Sequence, residues 1–216
     1  MVIIYAGPEK KPFIIHKEVA CLYSPVLRAA FESSFVEGQT QKYNLEDVKP
    51  EVFNLFMQWL YGKKFTPCLS KAELDSIRPS ANGRNIDIPT TKKLNEHIEN
   101  LVYLWVTADY LQIPVLQNYI VDEIEHTRKE YGLIAYKSFG FLYDEVSPDA
   151  CVRKILLEHS VRFLHPHAFM YGGALLPKQM LLDHIVEEKL ARLQPLLPDP
   201  FSNREEFKRR FHVPDE

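Results

Sequence analysis

The order of hydrophobic and polar positions along the chain predicts a fold that opens with strands. "VIIYAG" and "PFIIHK" are short runs rich in β-branched and aromatic residues, bounded by glycine and proline, which is typical of two strands joined by a turn. From Glu18 the apolar positions recur every three or four residues, as they do along a helix. Ser24 and Pro25 then supply an N-cap and a first-turn proline, so a second short helix is expected.

A third strand and a longer helix follow this helix pair. "KYNLEDV" resembles a strand, and "KPEVFNLFMQWLYG" begins with a first-turn proline, Pro50, and stops at Gly62, which we interpret as the residue after the helix. The apolar stripe of this helix is Val52, Leu55, Phe56, Trp59 and Leu60. An amphipathic helix must bury such a face, so the stripe is interpreted as core rather than as the lining of a cofactor pocket.

Residues 63–94 lose this periodicity and fill with proline, serine, threonine, asparagine and lysine. They are predicted to form a surface insertion with one short helix at "SKAELDSI". Helical spacing returns in "NEHIENLVYLWVTADYLQ" and restarts at Pro114, which predicts a helical hairpin that closes the first structural unit.

The C-terminal part of the chain is predicted to be an appended helical layer. Ser147 and Pro148 offer a cap and a start for the helix in "SPDACVRKILLEHSVRFL", and Pro177 opens the helix in "LPKQMLLDHIVEEKLARL". Residues 194–216 are broken by prolines and rich in charge, so a mobile tail is expected there.

Composition narrows the classes of partner. The 216 residues are 46% hydrophobic and 25% charged, with a formal net charge of −3, which is ordinary for a soluble globular protein and gives no electrostatic reason to expect nucleic acid or an anionic membrane as partner. Cys21, Cys68 and Cys151 are odd in number and far apart, which indicates a reducing compartment and no disulfide framework. We find no signal peptide and no membrane-length apolar segment in the sequence. A cytoplasmic or nuclear protein is therefore expected.

Residues with catalytic or metal-binding chemistry are present but poorly arranged. Cys151, His159, His165 and His167 are possible zinc ligands, yet their spacing matches no common zinc motif, and capping or surface histidines are the preferred interpretation. No nucleophile elbow, HExxH motif or phosphate-binding glycine loop occurs. The basic run in "NREEFKRRF" is interpreted as a solvated tail. We therefore expect no enzyme, no cofactor and no metal.

Several separated motifs, in this order, resemble the BTB/POZ domain. They are "HKEV", "SPVLRAAF", "PEVF", "QWLYG" and "ADYLQIP". The resemblance covers roughly residues 2–128 and is closest to the fungal branch of the family. It implies an α+β fold, mainly helical with a small β-sheet, to which C-terminal helices are added. It also implies a role in protein–protein association rather than catalysis.

Within this resemblance the connection "FESSFVEGQTQ" is the candidate partner site. Many BTB adaptors of cullin-type E3 ubiquitin ligases carry a hydrophobic-x-Glu motif between the second short helix and the third strand, and Phe35, Val36 and Glu37 occupy that place. A ring inserted into a partner's pocket supplies anchoring area, and a neighbouring carboxylate sets the register. The alternative from local chemistry is that Phe35 folds back onto the core.

These observations predict residues 1–128 as a BTB/POZ domain that contains the 63–94 insertion, 129–193 as a helical extension, and 194–216 as the tail. The first functional hypothesis is a cullin-ligase substrate adaptor whose target is held by residues 63–94 or by the C-terminal helices. The alternative is a self-associating scaffold or corepressor-like module with no ligase role. No acidic residue precedes "VIIY", which disfavours a strand-exchanged dimer and leaves a homodimer of another kind open.

Overall fold

The computed structural model describes residues 1–76, 78–80, 83–85, 88–164, 169, 176–193 and 199–214. They fall into two compact units, one made of residues 1–68 and 100–120, the other of residues 69–99 and 121–214. Among the described residues, no helix is both long enough and apolar enough to cross a membrane.

The strands are β1 (Val2–Ala6), β2 (Lys11–Ile15), β3 (Lys42–Leu45), β4 (Arg78–Ser80) and β5 (Gly83–Asn85). The helices are α1 (Lys17–Tyr23), α2 (Pro25–Glu32), α3 (Val36–Thr40), α4 (Pro50–Gly62), α5 (Lys71–Ser76), α6 (Ile88–Tyr110), α7 (Pro114–Tyr131), α8 (Phe139–Glu145), α9 (Cys151–Phe163), α10 (Lys178–Leu193) and α11 (Arg204–Phe211). This mainly helical architecture with a small three-stranded sheet confirms the predicted fold class.

The three-stranded sheet of the first unit has the order β2-β1-β3. β1 pairs antiparallel with β2 and parallel with β3. Val2, Ile4 and Ala6 are fully buried, and the alternating Ile3 and Tyr5 are only half-buried. Because successive side chains of a strand point to opposite faces, one face of the sheet covers the core and the other is partly open to solvent.

Ser24 makes the predicted cap and also binds a distant part of the chain. Its hydroxyl oxygen accepts the backbone N–H of Leu27 at 3.1 Å, and Pro25 occupies the first turn of α2. The same hydroxyl donates to the carbonyl oxygen of Leu111 at 2.8 Å. Ser24 is fully buried, so these two bonds satisfy a polar group that would otherwise be costly to bury.

The predicted apolar stripe of α4 is buried along its whole length, together with Phe53. The end of this helix differs from the expectation, because Gly62 is still helical and Lys63 takes the left-handed conformation at φ 53°. The Lys63 ammonium lies 3.3 Å from the ring centroid of Tyr23 and 4.0 Å from that of Trp59. These cation–π contacts offset the strain of a left-handed lysine.

The predicted 63–94 insertion differs from the structure in its extent. α5 forms at the expected place, but α6 already begins at Ile88. Leu69 and Leu94 are buried. The apolar residues of this stretch are spaced too widely to show a helical or strand period, yet they still pack into the core of the unit to which they belong. Residues 69–99 belong to the second unit, so the predicted division at residue 128 does not coincide with the two compact units.

The start of α9 lies three residues after the predicted one. Ala150 is the N-cap residue, while Ser147 and Pro148 form a turn in which the Ser147 carbonyl accepts the N–H of Ala150 at 3.1 Å. Serine followed by proline favours turns as well as helix starts, and the turn prevails here.

The described part of the predicted tail, residues 194–216, contains a helix, α11. Asn203 caps this helix by accepting the N–H groups of Glu205 and Glu206 at 3.0 and 3.2 Å. Phe207 and Phe211 are each 3% exposed. The residues between these two rings are charged, so the composition of the segment indicates a solvated tail. The four-residue spacing of the two rings, which is typical of one face of a helix, was not recognised in the sequence.

Candidate partner-docking site

The connection between α2 and β3 holds a short helix rather than an extended loop. α3 runs over Val36–Thr40, and Phe35 is its N-cap residue. The Phe35 carbonyl accepts the N–H of Gln39 at 3.0 Å, and the Thr40 hydroxyl donates to the Val36 carbonyl at 2.6 Å. The predicted polar connection therefore has a defined backbone conformation at Phe35.

Side chains on both sides of Phe35 brace this conformation. The Ser33 hydroxyl donates to the Ala30 carbonyl at 2.8 Å and accepts the N–H of Phe35 at 3.2 Å. Gln41, left-handed at φ 54°, donates its side-chain amide to the carbonyl oxygens of Phe31 and Gly38 at 3.1 and 2.5 Å. These bonds reduce the ordering that a partner would have to impose on the segment.

Gly38 allows α3 to approach the end of α2. A Cβ atom at this position would lie 2.8 Å from the carbonyl carbon of Ser33, closer still to its oxygen, and 3.3 Å from the carbonyl oxygen of Ala30. Both neighbours are backbone atoms and cannot turn aside. Glycine is therefore required by close contact between the two backbones.

The three predicted docking residues differ in exposure. Phe35 is 74% exposed and Val36 is 68% exposed, whereas Glu37 is half-buried. The alternative in which Phe35 folds onto the core is therefore wrong. The Glu37 carboxylate has no hydrogen-bond or ion-pair partner among the residues that the structure describes. The segment thus presents an apolar surface beside an unpaired negative charge.

A pair of tyrosines lies beside α3. The hydroxyls of Tyr43, on β3, and Tyr110, at the end of α6, are 2.9 Å apart, and the Tyr43 ring contacts that of buried Phe31. Burial and the hydrogen bond with Tyr110 raise the pKa of Tyr43 well above its usual range. Tyr43 therefore stays protonated and neutral at physiological pH.

A groove that no sequence pattern predicted runs along β3. Its volume is about 580 Å³, and its lining includes Lys42, Tyr43 and Asn44 of the strand, with Val36 and Tyr110 on its walls. A sequence pattern shows that a strand exists but not which of its edges stays unpaired. The four-residue length of β3 was the one available signal, because edge strands are commonly short.

Of the possible zinc ligands, the structure describes Cys151 and His159, and neither belongs to a group of described side chains that could hold a metal ion. His159 is fully buried and its Nε2 lies 2.9 Å from Glu125 Oε2. Cys151 remains a free thiol, and His165 and His167 lie outside the described residues. Within the described part of the chain, no group of histidine, cysteine and carboxylate side chains is arranged to hold a metal ion.

His159 instead belongs to a buried charge cluster of the second unit. Arg128 donates two hydrogen bonds of 2.8 Å to Glu125, and the Lys129 ammonium lies 3.2 Å from the same carboxylate. Burial raises the pKa of Glu125, but the bonds from Arg128 and His159 outweigh burial and hold that pKa at about 2. Burial lowers the pKa of His159. The cluster links α7 to α9.

The family model of the BTB/POZ domain matches residues 2–83, which begin at β1 and include α1–α5. The motif "ADYLQIP" and the rest of residues 84–128 lie beyond this match, and their place in the family stays a prediction, as does the likeness to the fungal branch. Residues 2–83 are therefore a BTB/POZ domain, a module of protein–protein association, which further helices follow in this chain.

Proposed function

We propose that this protein is a substrate adaptor of a cullin-type E3 ubiquitin ligase and that Phe35, Val36 and Glu37 bind the cullin. The observation that carries the proposal is the exposure of the Phe35 ring at the start of a hydrogen-bonded helix. Adaptor function requires this ring to be accessible in the free protein. Because hydrogen bonds already hold the backbone at Phe35, its ring can fill a partner's pocket with little further loss of backbone entropy.

Glu37 complements this anchor by its charge. Its carboxylate lies two residues from Phe35 and has no partner in the described part of the chain. A charge-assisted hydrogen bond from the cullin would satisfy the carboxylate and orient the two proteins. Phe35 thus supplies most of the affinity, and Glu37 supplies the register.

The adaptor would hold its target through the C-terminal helices. Five apolar residues of α10 are at least 43% exposed and recur at helical spacing: Leu182, Ile185, Val186, Leu190 and Leu193. An apolar stripe of this size on one helix is a surface that proteins commonly use to bind a partner. This assignment keeps the target-binding surface on a different element from the cullin-binding residues.

The proposal is tested by calorimetric titration with the N-terminal repeat domain of a cullin from the same organism. Wild type is expected to bind with micromolar or tighter affinity. Phe35→Ala should weaken binding by about thirtyfold, which corresponds to about 2 kcal/mol, the usual threshold for an interface hot spot. The double variant Phe35→Ala, Glu37→Ala should abolish measurable binding.

Leu22→Ala is the matched control, because Leu22 is a 64% exposed apolar residue of the same unit on another helix, α1. Its affinity should equal that of wild type. Absence of binding by the folded wild-type protein, or equal binding by wild type and Phe35→Ala, would contradict the adaptor proposal.

The second candidate function is a self-associating scaffold. It is favoured by exposed apolar residues of the first unit away from α3, namely Met1, Ile14, Leu22 and Tyr61. Light scattering on the titration samples separates the two functions. A dimer that binds no cullin, and that Leu22→Asp converts to a monomer, would favour the scaffold.

A further inference from the structure

We infer that β3 is a docking edge for an extended peptide of another protein, one that alternates acidic with apolar residues. The inference rests on the groove along β3 and its unpaired backbone, and it does not depend on cullin binding. The peptide would add a fourth strand to the sheet, in the manner of β-augmentation.

The hydrogen bonds between β1 and β3 show which backbone groups remain free. Ile3 donates its N–H to the carbonyl of Gln41, and Gly7 donates to the carbonyl of Leu45, both at 3.0 Å. In a parallel pair, alternate residues of a strand face the same neighbour. Gln41, Tyr43 and Leu45 therefore face β1.

Lys42 and Asn44 consequently direct their N–H and C=O groups away from β1. β3 lies at the end of the sheet order, and neither residue has another hydrogen-bond partner within the described residues. Two donors and two acceptors are thus available along this edge. Such an edge is a template for another strand unless the fold covers it.

The groove leaves space for a strand beside this edge. All of Lys42, Tyr43 and Asn44 line it, and α3 contributes its residues Val36, Glu37 and Thr40 to its wall. Lys42 and Asn44 are exposed. An extended chain lying in the groove would therefore follow β3 and reach both sets of backbone groups.

The side chains around the groove define what the peptide must carry. Lys42 is aligned with Ile3 and Asn44 with Tyr5, so both project on the sheet face opposite the buried Val2 and Ile4. The Lys42 ammonium has no ion-pair partner in the described chain, and Lys10 also lines the groove, although it pairs with Glu46 at 3.2 Å. An acidic peptide residue on this side would be attracted to Lys42.

The opposite side of the groove favours apolar residues over acidic ones, because the Glu37 carboxylate also lines the groove and its negative charge helps to raise the pKa of Tyr43 there. Tyr43 projects towards the core side of the sheet, where its hydroxyl meets that of Tyr110. Because side chains of the added strand would alternate between the two sides, residues next to an acidic one would face these rings. This alternation gives the expected sequence pattern.

The charges disfavour a second copy of β3 as the occupant. Antiparallel pairing of two copies about Tyr43 would place Lys42 of both chains on the same sheet face, with Lys10 of both nearby. In this register Lys42 of each copy lies opposite Asn44 of the other, so the two lysines are diagonal neighbours within reach of their long side chains, and their like charges repel. An acidic peptide removes this repulsion.

The test begins with a phage-displayed library of random eight-residue peptides selected against the intact protein. Recovered peptides are expected to alternate acidic and apolar residues and to lack proline in their central positions. Their affinity should fall about tenfold in Lys42→Glu and about tenfold in Asn44→Pro, since one lost hydrogen bond or charge pair is worth about 1.4 kcal/mol. Asn44→Pro removes an outward N–H and leaves the β1 ladder intact, and edge strands tolerate proline at such positions.

Backbone amides give a second readout, in ¹⁵N-labelled protein. In the free protein the amides of Lys42 and Asn44 should exchange with solvent faster than that of Tyr43. Peptide addition should slow their exchange and shift both resonances downfield. Phe35→Ala is the matched control, because Phe35 does not line the groove. This variant should bind the peptide with unchanged affinity, although it lacks the ring proposed to anchor the cullin.

Three results would overturn the inference. The first is that no recovered peptide depends on Lys42 and Asn44 while the protein is folded. The second is protection of the Lys42 and Asn44 amides in the free protein. The third is a dimer that Asn44→Pro dissociates, with no peptide bound, which would make a second copy the occupant of this edge.

Discussion

Phe35 projects into solvent because its neighbours hold the backbone in place. Ser33, Gly38 and Gln41 each contact the end of α2 or the turn that follows it, through hydrogen bonds or close backbone approach. The small and polar residues that mark this stretch as a turn in the sequence therefore have individual structural roles. Their loss should affect the position of Phe35 without altering its ring.

Replacement of Gly38 by alanine should destabilise the protein by about 2 kcal/mol, because the new methyl group would overlap the Ser33 carbonyl and force α3 away from α2. Urea unfolding measures this loss. Gly62→Ala is the control, since a Cβ there would meet only the Lys64 side chain, at 3.8 Å, and its stability should stay within about 0.5 kcal/mol of wild type. Equal stability of Gly38→Ala and wild type would show that the two helices do not need this close approach.

His159 should make stability depend on pH. Its folded-state pKa is lowered by burial, so the unfolded chain binds a proton more readily, and the free energy of unfolding should fall as the pH drops below about 6.5. Each unit of pKa difference is worth about 1.4 kcal/mol. Glu125, whose pKa is about 2 in the folded protein, should add a further loss as the pH falls below about 4.5.

The measurement is urea unfolding of wild type and His159→Gln between pH 7 and pH 5. The variant should show a shallower loss of stability over this range. His97 and His184, whose pKa values are also lowered by burial, are present in both proteins, so the difference between the two curves isolates His159. Identical slopes would mean that His159 does not titrate differently in the folded and unfolded states.

At the scale of elements, α11 shows how aromatic packing and surface charge contribute unequally. The ring centroids of Phe207 and Phe211 are 5.2 Å apart, and both rings contact that of Phe201. The same helix forms an ion pair through Arg204, whose guanidinium donates to Asp122 at 2.7 and 2.9 Å. Arg204 is 58% exposed in this pair, so solvent screens much of the attraction.

Phe207→Ala should therefore cost the second unit about 3–5 kcal/mol, the usual range for a buried ring, whereas Arg204→Ala should cost less than about 1 kcal/mol. Hydrogen exchange of the α11 amides and urea unfolding measure both effects. A loss from Arg204→Ala as large as that from Phe207→Ala would show that charge, not ring burial, holds the helix.

At the scale of the whole molecule, the family match and the compact units divide the chain differently. The BTB/POZ match ends at residue 83, yet residues 100–120 share the first unit and residues 69–99 belong to the second. Capping and hydrophobic period locate the helices but not the unit that each one joins. The adaptor proposal uses both units, since it assigns the cullin to α3 and the target to α10.

The local features of this protein could be predicted from its residues. Ser24 and Pro25 begin α2, the stripe from Val52 to Leu60 is buried, and the β-branched and aromatic run "VIIYA" forms β1, because capping, helical period and strand propensity depend on neighbours close in sequence. The separated BTB/POZ motifs likewise indicated the fold and the class of function.

Features that depend on distant contacts needed the tertiary structure. Phe35 is exposed because α3 packs closely against the end of α2. The helix α11 is held by contacts between aromatic rings from separate segments. β3 has a free edge because it pairs with β1 alone and lies at the end of the three-stranded sheet. In each case several arrangements of distant segments have similar local energies, and the tertiary structure selects one of them. A one-dimensional pattern records that a ring or strand is present, and packing determines whether it faces the core, another chain or solvent.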